Sequence, residues 1–216
     1  MVHVRGRFIA LEGGEGAGKS TQARLLAEWL EDQGMQVLLT REPGGTPGAE
    51  AIRGLLLDPP DQPGWTGKAE ALLFAAARAE HVARAIRPAM EEGTWVVCDR
   101  FVASSRAYQG GAGGLGDEAI LALHRFGSDG LMPDLTILLE ASEARIAERL
   151  AQRDAGRSDA IGGRGANYHR EVARHFRGIA QAEPGAFAIL NADGTFEAVH
   201  AAIRALVEPL IAASPA

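Results

Sequence analysis

The residues Gly13, Gly14, Glu15, Gly16, Ala17, Gly18, Lys19 and Ser20, followed by Thr21, fit the spacing G-x-x-x-x-G-K-[ST] without a mismatch. Glycines let a backbone turn tightly and approach a ligand closely, because no side chain stands in the way. The free N–H groups of such a turn and of the helix after it converge on one spot, which favours an anion. Lys19 is expected to reach the β- and γ-phosphates of a nucleotide, and the Ser20 hydroxyl to bind Mg2+. A second signal is the apolar run Trp95-Val96-Val97-Cys98, which ends in Asp99. Beside a phosphate-binding loop, a carboxylate at this place is expected to hold Mg2+, directly or through water.

Arginines form a third signal. Arg41, Arg53, Arg78, Arg100, Arg106, Arg153, Arg157 and Arg164 fall in or near loops on one expected ligand edge. The guanidinium fork suits phosphate because it stays charged and donates two parallel hydrogen bonds. Such an edge suits phosphoryl transfer onto a nucleoside monophosphate. That acceptor is already largely dianionic at neutral pH, its second pKa being about 6, so no strong base is needed. The difficulty is to bring two polyanions together, which Mg2+, Lys19 and arginines offset. No His–carboxylate dyad for base catalysis stands out; His81, His124, His169 and His175 read as helix residues.

The elements that must position these groups alternate. Strands are expected at Arg7–Leu11, Gln36–Thr40, Thr94–Cys98, Leu135–Glu140 and Ala186–Leu190, the first two buried. Helices are expected at 19–33, 49–57, 68–92, 117–126, 142–152, 167–181 and 196–211, with Leu72, Leu73, Phe74, Ala77, His81 and Val82 facing inward on the third. Pro88 is expected to kink that helix, Asp117 and Ser142 to cap theirs, and Gly110–Gly116, with five glycines in seven residues, to form a flexible loop. This alternation predicts a parallel sheet with helices on both faces, and ligands at the carboxyl ends of its strands. No break in composition divides residues 1–216, so one domain is expected, with a Gly- and Arg-rich segment at about 153–166 closing as a lid.

The bulk numbers limit the classes. A formal net charge of −6 over 216 residues argues against nucleic acid as the main partner. No apolar stretch is long enough to cross a bilayer and no signal peptide is evident, so a cytoplasmic protein without a membrane partner is expected. The single cysteine, Cys98, reads as a small buried apolar residue. A nucleotide-gated switch would need Asp-x-x-Gly after the third strand and an Asn-Lys-x-Asp guanine reader. The first is replaced by Asp99-Arg100-Phe101-Val102, and the second is absent.

Four ordered motifs together resemble bacterial thymidylate kinase over nearly the whole chain. They are Phe8 to Thr21, Thr40 to Thr46, Ala71 to Arg78 followed by Glu80-His81, and Asp99 to Gly110. The resemblance implies a P-loop NTPase fold with a five-stranded sheet, ATP and Mg2+ as donor and cofactor, and phosphorylation of dTMP to dTDP on the way to dTTP. It also implies a homodimer. By this likeness Phe74 stacks on thymine and Arg78 binds its carbonyl edge, with Ser105 and Gln109 facing the base. Arg53 and Arg100 hold the dTMP phosphate near Glu42, and Glu15 lies by the sugar 3′-hydroxyl and the acceptor phosphate. Tyr108 fills the space a ribose 2′-hydroxyl needs. The phosphate loop carries no arginine, so the lid is expected to supply the catalytic charge, Arg153 first. The family's Asp-Arg-Phe-Glu before the following helix is replaced by Asp159-Ala160-Ile161-Gly162, which leaves Arg157 and Arg164 as substitutes. Asn191-Ala192-Asp193 resembles the family's adenine-side loop.

Overall fold

A computed structural model describes residues 5–61, 64–154 and 160–212, with the backbone alone at 152–154. The chain runs β1 (Phe8–Glu12), α1 (Lys19–Asp32), β2 (Val37–Arg41), α2 (Pro47–Leu57) and α3 (Gly67–His81). A wide π-helical turn, Val82–Ile86, joins α3 to α4 (Arg87–Glu91), followed by β3 (Trp95–Asp99) and α5 (Val102–Ser105). A second wide turn, Arg106–Ala112, leads to α6 (Asp117–Ser128), β4 (Leu135–Glu140), α7 (Glu143–Asp154), α8 (Ala166–Ala182), β5 (Phe187–Asn191) and α9 (Phe196–Ala212).

The strands form one parallel sheet in the order β2-β3-β1-β4-β5. In the register, Leu11 pairs with Asp99 on one side and with Ile137 on the other. Alternation along the central strands divides the interior in two. Ile9, Leu11, Val97 and Leu139 join α1 and α9 through Leu26, Leu30, Ile203 and Val207. Phe8, Ala10, Val96 and Cys98 face the opposite side and meet Val82, Ile86, Met90 and Phe101. A third cluster packs Val172 and Phe176 of α8 on Leu138, Ala107 and Tyr108. The carboxyl ends of β1, β2 and β3 therefore open toward the same loops, as a parallel sheet requires.

Several local expectations change. β2 is an edge strand rather than a buried one, and its Leu39 is 44% exposed. The expected helix 68–92 is one helical run widened at Val82–Ile86, where the Arg87 N–H donates back to the Val82 carbonyl. Pro88 has no N–H to give to Arg84, so the wider turn takes up the misfit. Leu72 points out, 56% exposed, because the inward stripe of α3 runs through Ala71, Ala77, Arg78 and His81.

Gly110–Gly116 is no flexible loop throughout: Gly110, Gly111 and Ala112 belong to the second wide turn. A side chain on Gly111 would collide with the His175 ring, so this glycine permits close packing of α8. Asp117 is the first residue of α6, after Gly116, and does not cap it. Its carboxylate instead binds buried Arg106 at 2.7 and 2.9 Å, and Glu183 binds the same guanidinium at 2.6 Å. Arg106 therefore ties the wide turn to α6 and α8, away from the ligand edge. Ser142 does cap α7, its Oγ accepting from the Arg145 N–H at 3.4 Å.

Candidate functional site

The turn between β1 and α1 has the backbone its glycines allow. Gly13, Gly16 and Gly18 take φ values of 137°, 70° and 95°. A Cβ on Gly13 would strike the Leu139 carbonyl, so β4 lies too close for any other residue. No side chain caps the start of α1, which leaves its first N–H groups directed at the loop. Lys19 Nζ donates to the Gly14 carbonyl at 2.6 Å and lies nearly buried beneath it. Burial, with Arg100 next, pushes its ammonium down to about 8.

Ser20 and Asp99 are directly hydrogen-bonded through Oγ and Oδ2. Asp99 Oδ1 is buried and has no hydrogen-bond partner. An orphaned carboxylate oxygen beside a hydroxyl, at the mouth of a phosphate loop, suits a hard divalent cation. Among the described residues no cluster of three or more His, Cys, Asp and Glu could hold a metal alone. That donor set fits Mg2+, which keeps waters and shares itself with phosphate oxygens.

Arg100 follows directly, in the left-handed region at φ 71°. Its own N–H donates to the Leu11 carbonyl at 2.9 Å. Its guanidinium donates to the Gly13 carbonyl and to Ser104 Oγ, both at 3.0 Å, and to Glu15 Oε1 at 2.7 Å. It also lies over the Tyr108 ring, 5.2 Å from its centre. Burial alone would lower the Arg100 pKa, but Tyr108, Glu15, Asp99 and Glu12 together raise it. A permanent cation thus joins the phosphate loop to the next cavity.

That cavity is lined by Glu15, Glu42, Arg53, Phe74, Arg78, Arg100, Ser105, Tyr108 and Gln109, so the residues expected at the acceptor come together. Arg78 Nε donates to Glu42 at 2.7 Å and Nη2 to Ser105 Oγ at 2.9 Å. Glu42 also meets His81 Nδ1 at 3.2 Å, and His81 Nε2 meets Thr40 Oγ1 at 2.8 Å. This buried series fixes the guanidinium of Arg78 against the cavity wall. Arg53 donates to the Pro43 carbonyl at 2.7 Å. Arg41 pairs with Glu50 on the surface instead.

The segment expected to close as a lid is partly described. Arg157 and Asp159 lie outside the described residues, as does the side chain of Arg153. Arg164 donates to Glu70 and, at 2.7 Å, to the Tyr168 hydroxyl. In the Asn191–Asp193 loop, Asp193 accepts from the Ser142 N–H at 2.7 Å.

Three residues escape the sequence reading. Glu12 is fully buried and accepts from the Phe101 and Ser104 N–H groups and from Ser104 Oγ. Its position at the end of β1, beside the loop, was a usable signal. Glu70 has a polar role on a helix face whose period marks it only as inward. Arg149 donates to the Ala17 carbonyl at 2.9 Å and the Ala192 carbonyl at 2.8 Å, and lies over Phe196. It thereby joins α7, the phosphate loop and the Asn191 loop; nothing local in α7 distinguishes it from its neighbouring arginines.

A parallel sheet with a phosphate loop at β1 and an arginine-lined cavity beside it is an arrangement that suits a nucleoside monophosphate kinase. Comparison with known proteins gives the finer division. The family model described as "Thymidylate kinase" matches residues 11–203. With that match the chain belongs to the thymidylate kinase family. A thymidylate kinase of Rhizorhabdus wittichii is 55% identical over 206 residues, covering 95% of this chain and 99% of the relative. One from Chromohalobacter salexigens is 48% identical over 204 residues, covering 93% and 94%. The crystal structure of thymidylate kinase from Ehrlichia chaffeensis superposes with a TM-score of 0.76 at 30% identity, covering 94% of this chain and 99% of that one.

Proposed function

We propose that the protein transfers the terminal phosphoryl group of ATP to dTMP in the presence of Mg2+, forming dTDP for dTTP synthesis. The observation that carries this reading is the Glu15–Arg100 pair, 2.7 Å apart, because it joins the phosphate loop to the arginine-lined cavity. A donor seated on Gly13–Thr21 and an acceptor seated in the cavity would meet there. Lys19 would hold the β- and γ-phosphates, and Arg100 and Arg53 the acceptor phosphate. Phe74 would stack on thymine, Arg78 and Ser105 would donate to it, and Tyr108 would exclude a ribose 2′-hydroxyl. Glu42 serves by holding Arg78. Ser20 and Asp99 would hold Mg2+, which supplies positive charge to the phosphate oxygens. No base is required, since the acceptor arrives ionised; positioning and charge carry the reaction.

A lid arginine would complete the charge. Arg164 is engaged by Glu70 and Tyr168, which favours Arg153, with Arg157 next. We read residues 1–216 as one domain with that lid. No helix among the described residues is long and apolar enough to cross a membrane, in keeping with a cytoplasmic enzyme without a membrane partner. The acidic balance speaks against nucleic acid. The exposed Leu55, Leu72 and Phe126 lie on the neighbouring helices α2, α3 and α6, which supports a homodimer through that layer.

The test is steady-state phosphorylation of dTMP, dUMP, UMP, dCMP and thymidine with ATP, with and without Mg2+. Preference for dTMP, dependent on Mg2+, is expected. A preference for UMP or thymidine would reject the base and sugar assignments.

A further inference from the structure

We infer that Glu70 determines which bases the cavity accepts, by fixing the orientation of the Gln109 amide, with Arg164 anchoring Glu70. The inference rests on the reading of the cavity as the seat of the acceptor base.

Gln109 is buried and lines the cavity. Its Nε2 donates to Glu70 Oε1 at 2.8 Å. An ionised carboxylate only accepts, so the amide cannot be reversed without setting two oxygens against each other. The carbonyl Oε1 is therefore the end left for a ligand. The second oxygen of Glu70 accepts from Arg164 Nη2, and Arg164 Nη1 donates to the Tyr168 hydroxyl. That hydroxyl in turn donates to the Tyr108 carbonyl at 3.1 Å. The ring of hydrogen bonds thus begins and ends on two adjacent residues of the wide turn. Both oxygens of Glu70 are thereby engaged, one by Gln109 and one by Arg164.

Arg78 is donor-only, and with Nε on Glu42 and Nη2 on Ser105 it presents donors to the same cavity. Donor at Arg78 and fixed acceptor at Gln109 match a pyrimidine with a carbonyl at C4 and a proton on N3. A 4-aminopyrimidine reverses both: its amino group would face a guanidinium and its N3 lone pair would face a carbonyl. Mismatches between buried polar groups discriminate more strongly than a missing methyl group does. With glutamine at position 70 the pair could reverse, and Gln109 could then offer its NH2 to a cytosine.

The test uses the full chain and compares kcat/KM and Kd for dTMP and dCMP in the wild type, in Glu70→Gln, and in the double variant Glu70→Gln/Gln109→Glu. The double variant restores a donor–carboxylate pair with an acceptor toward the base. Glu70→Gln is expected to lower the dTMP-over-dCMP ratio at least about tenfold, mainly through KM, and the double variant to return it to within about threefold of wild type. A folded Glu70→Gln with the wild-type ratio would overturn the inference, whatever its overall activity, because a purely structural role moves both substrates together. If the single variant does not fold, the double variant decides: strong preference for dTMP supports the inference, and acceptance of dCMP overturns it. Failure of the wild type to phosphorylate dTMP would instead reject the reading on which it rests.

Discussion

The Glu12 carboxylate and the Ser104 hydroxyl are 2.6 Å apart, beneath the turn that carries Arg100. Glu12 also accepts from the Phe101 N–H at 2.8 Å and the Ser104 N–H at 3.0 Å. It thereby holds the backbone immediately after Arg100, a residue in the left-handed region, where a non-glycine conformation costs about 1 kcal/mol or more. Glu12→Ala leaves buried donors without acceptors, each worth about 1–3 kcal/mol, so a fall in Tm together with a fall in kcat is expected. Burial raises the Glu12 carboxyl above its ordinary value. A raised carboxyl contributes stability that is present below the unfolded value and lost as pH rises through the folded one. The stability of wild type relative to Glu12→Gln, which cannot ionise, should therefore fall from acid toward neutral pH, measured by denaturation across that range.

Lys19 gives the opposite sign. Its ammonium is pushed down to about 8, so its charge opposes folding fully below that value, and the cost disappears as pH rises from there toward the unfolded lysine value of about 10.5. Lys19→Met should raise Tm at pH 7 by an amount that shrinks above pH 8, while removing most turnover. ATP binding should take up protons above pH 8 and weaken by up to about tenfold per pH unit, an effect absent in Lys19→Met. Calorimetry in buffers of different ionisation heat measures it.

Arg78 and Glu42 form a pair of which neither member is exposed beyond a few per cent. Arg78→Ala should raise the KM for dTMP at least about tenfold and destabilise the fold by about 3–5 kcal/mol, because Glu42 loses its cation in a buried place. An unchanged KM would exclude contact with the base. Kinetics and urea unfolding separate the two effects.

Tyr108 packs against Phe176 and Tyr168, and its hydroxyl is 3.4 Å from Arg100. Tyr108→Phe removes only that long contact, so both activity and Tm should stay near wild type. Tyr108→Ala opens space and should narrow the preference for dTMP over its ribose counterpart, with about 3–5 kcal/mol of stability lost. Competition between the two nucleotides reads the preference directly.

Phe126 is 93% exposed on α6, next to α3, where Leu72 is 56% exposed. An aromatic side chain so bare suits a contact with a second copy. Phe126→Glu should shift sedimentation from dimer to monomer with little change in the secondary structure. Sedimentation of the wild type as a monomer would exclude this face as a dimer contact.

Much of this architecture is legible in the residues. Short apolar runs ending at turns mark every strand to within about a residue, because each closes on a charged residue or, in β5, on Asn191. The phosphate loop, Asp99 and Arg100 announce themselves, since their spacing along the chain is the geometry itself. What stays hidden depends on partners distant in sequence. The glycines from 110 onward read as looseness, yet Gly111 is there for His175 of α8. Arg106 reads as a ligand residue until Asp117 and Glu183 occupy its guanidinium. Glu70 and Arg164, 94 positions apart, have no local signature of their pairing.

Cys98 lies wholly inside the sheet, one residue before Asp99, and its Sγ contacts the Arg100 carbonyl at 2.9 Å. It is the chain's sole thiol. The molecule therefore carries a built-in clock: an added thiol-reactive dye can strike only when the central strands part. The labelling rate, followed with and without nucleotides, would report how often the floor beneath the reacting groups comes open.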